Sequence, residues 1–254
     1  MHKEGRHKIF YMIKDKESAF SVIHSFLMMG QSNMAGRGKV GEVPPIINQK
    51  IHMLRNGRWV RMNEPINPDR QVYPVLERFP VSGIGPAASF AEEYVNHFSD
   101  EVGLIPCADG GTSMNDWAVG GLLYDNAIAQ AKLAQRTSIL SGILWHQGEG
   151  DCATMEKVRA YHDKFITFIT AIRKGLNAGD VPLVIGEIGM IHPNDPSNCF
   201  HELNQEFHSF QEEIPNCAVA SADGLTLYED GLHFDSASQR KFGRRYFAEY
   251  KNLI

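Results

Sequence analysis

Residues 25–36 read Ser25-Phe26-Leu27-Met28-Met29-Gly30-Gln31-Ser32-Asn33-Met34-Ala35-Gly36. A short apolar run, Phe26–Met29, stops at Gly30, and Ser32 follows between the amides Gln31 and Asn33. The run is too short for a helix and has the character of a strand buried on both faces. A strand that ends in Gly-x-Ser and a small-residue turn presents a hydroxyl at the carboxyl edge of a sheet. That edge is where open α/β sheets place their ligands. A serine there becomes a nucleophile if the chain also supplies a base and donors for an oxyanion.

Working outward, apolar runs alternate with amphipathic segments. Glu101–Cys107, Ile139–Trp145, Val181–Ile188 and Cys217–Ser221 read as further strands. Helices are expected from Pro86 onward and over Leu122–Arg136, Glu156–Leu176, Asn198–Glu213 and Ser236–Tyr250. Asn56-Gly57 between Ile51–Arg55 and Arg58–Arg61 is a hairpin signal, because both turn residues need positive φ. Asn63–Arg70 and Tyr73–Gly85 read as loop. The alternation predicts an α/β fold: a three-layer α/β/α sandwich around a five-stranded parallel sheet, doubly wound in the flavodoxin-like manner. Residues 1–24 read as a lead-in, and residues 25–254 as one domain.

Composition bounds the function. The chain has 254 residues with a formal net charge of −5, which provides no electrostatic footprint for nucleic acid. Basic clusters at His2–Lys8 and Arg240–Arg245 read as a solvated tail and the outer face of the last helix. No run is long enough for a membrane span, and the N-terminus lacks a signal-peptide core. Cys107, Cys152, Cys199 and Cys217 form no C-x-x-C pair, so zinc and redox motifs are not expected. A cytoplasmic, reducing location is the expectation.

Three strand ends carry polar, Gly-rich sequence: Gly30–Asn33, Gly110-Gly111-Thr112 and His146-Gln147-Gly148-Glu149. All converge on one sheet edge in this topology. A fourth segment, Asp230-Gly231-Leu232-His233-Phe234-Asp235, precedes the last helix. Its Asp and His, three apart across a Gly turn, can face one point, and the aspartate can then hold the imidazole while the other nitrogen takes the serine proton. The spacing of His146, Glu149 and Asp151 matches no zinc motif, so no metal is expected.

On these residues the chain resembles the SGNH hydrolases, and within them the carbohydrate esterases of family six, the sialate O-acetylesterase-like acetylxylan esterases. The stretches that carry the resemblance are GQSNMAG at Gly30–Gly36, SGIGPAASFA at Ser82–Ala91, GGTSMNDW at Gly110–Trp117, WHQGEGD at Trp145–Asp151 and DGLHFD at Asp230–Asp235. The resemblance implies Ser32 as nucleophile, His233 as base and Asp230 as the third triad member, with Glu149 an alternative acid partner. It implies oxyanion donors at Ser32, Gly111 and Gln147. Gly150 stands where the family more often has Ser or Thr. Gln31, Asn33, Thr112 and Trp117 are the candidate substrate contacts. The implied reaction removes O-acetyl groups from a carbohydrate through an acetyl-enzyme, without a cofactor. The partner is a small-molecule or oligosaccharide acetyl ester, with no nucleic acid and no membrane. A sialate or other small ester is the alternative substrate, and a catalytically silent carbohydrate-binding protein is the alternative of another class.

Overall fold

The computed structural model describes residues 22–68, 82–189 and 199–254. The readings made for residues 1–21 and 69–81, and for Asn198 as a helix start, lie outside the described residues. The first strand, β1, runs Ile23–Gly30, three residues longer at its start than the apolar run indicates. Ser32–Ala35 is a single helical turn, α1. Then follow β2 (Ile51–Arg55), β3 (Arg58–Arg61), α2 (Ala87–Phe98), β4 (Glu101–Pro106), α3 (Leu122–Ala134), β5 (Ile139–His146), α4 (Met155–Leu176), β6 (Leu183–Gly186), α5 (Phe200–Glu213), β7 (Cys217–Ala220) and α6 (Ser236–Asn252).

The sheet order is β3-β2-β4-β1-β5-β6-β7. The five expected strands are β1, β4, β5, β6 and β7, all parallel, with β1 between β4 and β5. This is the flavodoxin-like order, and its switch point falls beside β1. The expected count of five is corrected to seven, because the Asn56-Gly57 hairpin joins the sheet. Its first strand pairs parallel to β4 from Ile51↔Val102 to Met53↔Leu104, and β3 closes the edge antiparallel to β2. Asn56 and Gly57 both take positive φ, as the turn requires.

Alternation along β1 builds the layers. Phe26 and Met28 face the core beneath α2 and α6, whereas Leu27 and Met29 face the core beneath α3, α4 and α5. All four are essentially fully buried, as expected for a central strand covered on both faces. Helix α4 contributes Tyr161, Phe165, Phe168, Ile169 and Ile172 at helical spacing, and Thr154 caps its N-terminus by accepting from Lys157 N. Trp117 and Trp145 meet edge to face at 5.3 Å inside this layer.

The basic stretch at Arg240–Arg245 is a solvated face only at Lys241 and Arg244. Arg240 is buried and forms a two-pronged ion pair with Glu64, and Arg245 Nη1 donates to Ser221 O at 2.6 Å. These contacts tie α6 to the loop after β3 and to the end of β7. The four cysteines are buried and free. Among the described residues, no helix is long and apolar enough to cross a membrane.

Candidate active site

The serine turn grows directly from the central strand. Gly30 ends β1 at φ 130°, opposite His146 of β5. Gln31 N then donates to His146 O at 2.8 Å, and Ala35 N closes the α1 turn on Gln31 O at 3.0 Å. The segment Ser82–Pro86 packs over this turn: Gly83 N donates to Gly36 O, and Gly38 and Ile84 exchange both backbone hydrogen bonds. That contact accounts for the glycines of the SGIGP stretch.

Beyond β4 the chain keeps following β1, with Asp109 N donating to Gly30 O at 3.0 Å. This brings Gly110 beside the nucleophile: a Cβ there would stand 3.7 Å from Ser32 Cβ and 2.3 Å from Arg37 Nη2. A side chain there would have to displace the end of Arg37. Gly111 follows, exposed and at φ 73°.

The last polar loop completes the arrangement. His233 Nε2 lies 2.9 Å from Ser32 Oγ, and His233 Nδ1 lies 2.7 Å from Asp230 Oδ2. The other oxygen, Asp230 Oδ1, accepts from Leu232 N at 2.9 Å and His233 N at 3.0 Å. One carboxylate therefore shapes the turn and orients the ring together. Burial works against its charge, but these backbone N–H groups and the His233 ring outweigh it and hold the Asp230 carboxyl below its ordinary value. Asp235 fixes the other end of the loop by capping α6 through Ser238 N at 2.7 Å. A cleft of about 480 Å³ opens here, lined by Arg37, Lys39, Tyr228, Glu229, Asp230 and His233.

The remaining candidates lie beneath this cleft. Glu149 does not bond His233, which corrects its reading as an acid partner. Its Oε1 accepts from Asn33 Nδ2 at 2.6 Å and meets His146 Nε2 at 3.2 Å. Burial alone would raise its carboxyl, but His146 and the hydrogen bonds from His146 and Asn33 hold it lowered. On the far side of the His146 ring, Nδ1 faces Tyr246 Oη at 3.3 Å, and that hydroxyl donates to Trp145 O at 2.9 Å. The His146 ring thus sits between Glu149 and Tyr246, with each of its nitrogens within hydrogen-bond reach of an oxygen.

Gln147 does not present a free amide to an oxyanion. Its Nε2 is bonded to Asp151 Oδ2 at 2.6 Å and to Gln31 Oε1 and Thr112 O at 3.2 Å, and the side chain is wholly buried. Gln31 is buried in that contact. The Thr112 hydroxyl donates to Asp109 O at 2.9 Å and accepts from Trp117 Nε1 at 3.2 Å. Trp117 is fully buried against Trp145 and Phe168, so it belongs to the core and not to a substrate wall. Asn33 is likewise buried, between Glu149 and the His233 loop. The four residues expected to touch substrate thus build the floor under the nucleophile.

Sequence reasoning passed over Arg37 and weighed Asp151 only as a metal ligand. Arg37 follows the GQSNMAG stretch directly, and its Nη1 donates to Gly36 O at 2.8 Å at the cleft wall. Asp151 accepts from Met114 N at 2.9 Å as well as from Gln147, and so joins the loop after β4 to the loop after β5. Its position two residues after Glu149 was the available signal. Among the described residues, no group of three His, Cys, Asp or Glu side chains could hold a metal ion.

Residues 22–252 match the family described as carbohydrate esterase, sialic acid-specific acetylesterase. The chain belongs to this carbohydrate esterase family. It is a carboxylic ester hydrolase, and the family's reaction is hydrolysis of O-acetyl esters of carbohydrates. A probable carbohydrate esterase of Arabidopsis thaliana is 26% identical over 237 residues, 86% of each chain. An Arabidopsis crystal structure aligns with a TM-score of 0.78 at 25% identity, covering 90% of this chain and 98% of that one. The fold is shared with NanS, at a TM-score of 0.72 and 16% identity over 91% of this chain and 97% of that one. It is shared as well with a carbohydrate acetylesterase of Xanthomonas citri, at 0.65 and 17% over 91% of this chain and 56% of that one.

Proposed function

We propose that this carbohydrate esterase works through Ser32, His233 and Asp230 and passes through an acetyl-enzyme. The observation that carries the reading is the line of contacts from Ser32 Oγ to His233 Nε2 at 2.9 Å and from His233 Nδ1 to Asp230 at 2.7 Å. Ser32 Oγ attacks the acetyl carbonyl while His233 Nε2 takes its proton. Asp230 keeps the ring in the tautomer with its proton on Nδ1 and stabilises the imidazolium that forms. The backbone N–H groups of Ser32 and Gly111 receive the oxyanion. Preorganised donors of this kind contribute roughly 10²–10³ each in other acyl-transfer enzymes. His233 then gives the proton to the departing sugar hydroxyl, and water activated by the same ring cleaves the acetyl-enzyme.

The substrate in this reading is an acetylated xylan oligosaccharide. A second reading, an O-acetylated sialic acid, is favoured by the family description of residues 22–252. Acetate release from the two substrates, measured in parallel with wild type and Ser32→Ala, decides between them. Faster release from xylan oligosaccharides that vanishes in Ser32→Ala is the expected result. Release from the sialic acid alone overturns the acetylxylan assignment, and release that survives in Ser32→Ala overturns the serine mechanism.

A further inference from the structure

Asn33 has a side-chain amide with every hydrogen-bonding position filled. Its Nδ2 donates to Glu149 Oε1 at 2.6 Å and to Leu232 O at 3.2 Å. Its Oδ1 accepts from Phe234 N at 3.1 Å and from Gln239 Nε2 at 3.3 Å. A primary amide has two hydrogens to give and two lone pairs to receive, so this group is saturated. The residues it grips are decisive. Leu232 and Phe234 flank His233, and Asn33 itself follows Ser32. One amide fixes the nucleophile turn against the peptide units on both sides of the base.

That grip works in one orientation only. Turned by 180°, the amide would set an oxygen against the Leu232 carbonyl and a nitrogen against the Phe234 N–H. Glu149 selects the working orientation, because a carboxylate only accepts and the nitrogen must face it. His146, with both side chains 1% exposed, holds the Glu149 charge in place. Resting on the serine–histidine reading above, we infer that Glu149 is a positioning residue for His233, acting through Asn33 and touching neither the base nor the substrate.

The test is a cycle of Asn33→Ala, Glu149→Ala and the double variant, with Ser32→Ala and Asp230→Asn beside them. For the variants that keep Ser32, activity on p-nitrophenyl acetate is expressed per active site, titrated by burst release, so that loss of folded enzyme does not enter kcat; for Ser32→Ala it is expressed per mole of protein. Misplacing a reacting group by about 1 Å costs roughly 10²-fold. Each single variant is therefore expected to lose roughly 10- to 100-fold in kcat with KM nearly unchanged. The double variant should be no slower than Asn33→Ala, and the midpoint of the acid limb of kcat/KM should stay where wild type has it. Losses that multiply in the double variant overturn the proposal. So does a limb that moves to lower pH in Glu149→Ala as in Asp230→Asn, since that would make Glu149 act on His233 directly. If Glu149→Ala does not fold, Glu149→Asp carries the same cycle, keeping the charge beside His146 while shortening its reach to Asn33. Hydrolysis by Ser32→Ala at the wild-type rate would instead remove the serine mechanism, an outcome distinct from independence of Asn33 and Glu149.

Discussion

A methyl group on Gly30 would fall 2.0 Å from the carbonyl oxygen of His146. The two residues are the last of β1 and of β5, and their contact sets where Ser32 emerges from the sheet. Gly30 also holds φ 130°, a conformation that side chains rarely adopt. Gly30→Ala is expected to lose at least about 2 kcal/mol of stability from backbone strain and overpacking together. A urea titration checks this, and a variant as stable as wild type would mean that the strand ends separate without cost.

Ser32→Ala should fold as wild type does, with the same urea midpoint, and lose at least about 10³-fold in acetate release. The Ser32 side chain is a small part of the turn, whose backbone bonds are made by Gln31, Ala35 and Gly36. Parallel unfolding and activity assays separate loss of chemistry from loss of structure.

For Asp230→Asn the expectation is a large drop in kcat, of the order of the 10⁴ seen for a lost orienting carboxylate in another serine triad. Activity should rise with pH as the base loses its proton. Asp230 is held below its ordinary value and stays ionised across that limb, so the limb should titrate as one proton. Removing its negative charge disfavours the imidazolium, and the limb should move to lower pH. A pH series of kcat/KM for both proteins is the measurement, and an unmoved limb would detach Asp230 from His233.

Acid should weaken the fold through Glu149. Its folded carboxyl is lowered from the ordinary value of 4.5, so below that value the unfolded chain binds the proton more readily. The stabilisation is complete above about pH 4.5 and is lost as pH falls through the folded value. Asp151 is shifted the other way, raised by burial, so the comparison with Glu149→Gln is what isolates the effect. Urea midpoints between pH 3 and 7 should fall less steeply on acidification for Glu149→Gln than for wild type. At neutral pH Glu149→Ala should cost about 1–3 kcal/mol, because Asn33 Nδ2 and His146 Nε2 lose a buried acceptor.

The parallel core was legible because each strand is a short apolar run that stops at a glycine or a polar cluster. The hairpin's place in the sheet was not, since nothing local in Ile51–Arg55 names β4 as its partner. Asp230 and His233 could be matched from their spacing, because the turn between them is local. Glu149 could not be assigned that way: its contact with Asn33 spans 116 residues, and a carboxylate near a histidine in sequence reads equally as partner or as support. Trp117 sits in a polar loop, and only the packing of Trp145 and Phe168 around it shows that it belongs to the interior.

Nucleophile and base are 201 residues apart; the cap of α6 holds the base loop, and Gln239 of the same helix reaches Asn33 in the nucleophile turn. Activity therefore cannot precede docking of the final helix against the central strand. In refolding, hydrolysis should return with the slowest phase, well after the local helices have formed. On the ribosome a chain halted before Ser236 would carry Ser32, His233 and Asp230 and still lack the helix that sets them to work. Turnover is in this sense a reporter of α6 docking, switched on only when the helix that follows the base loop has packed.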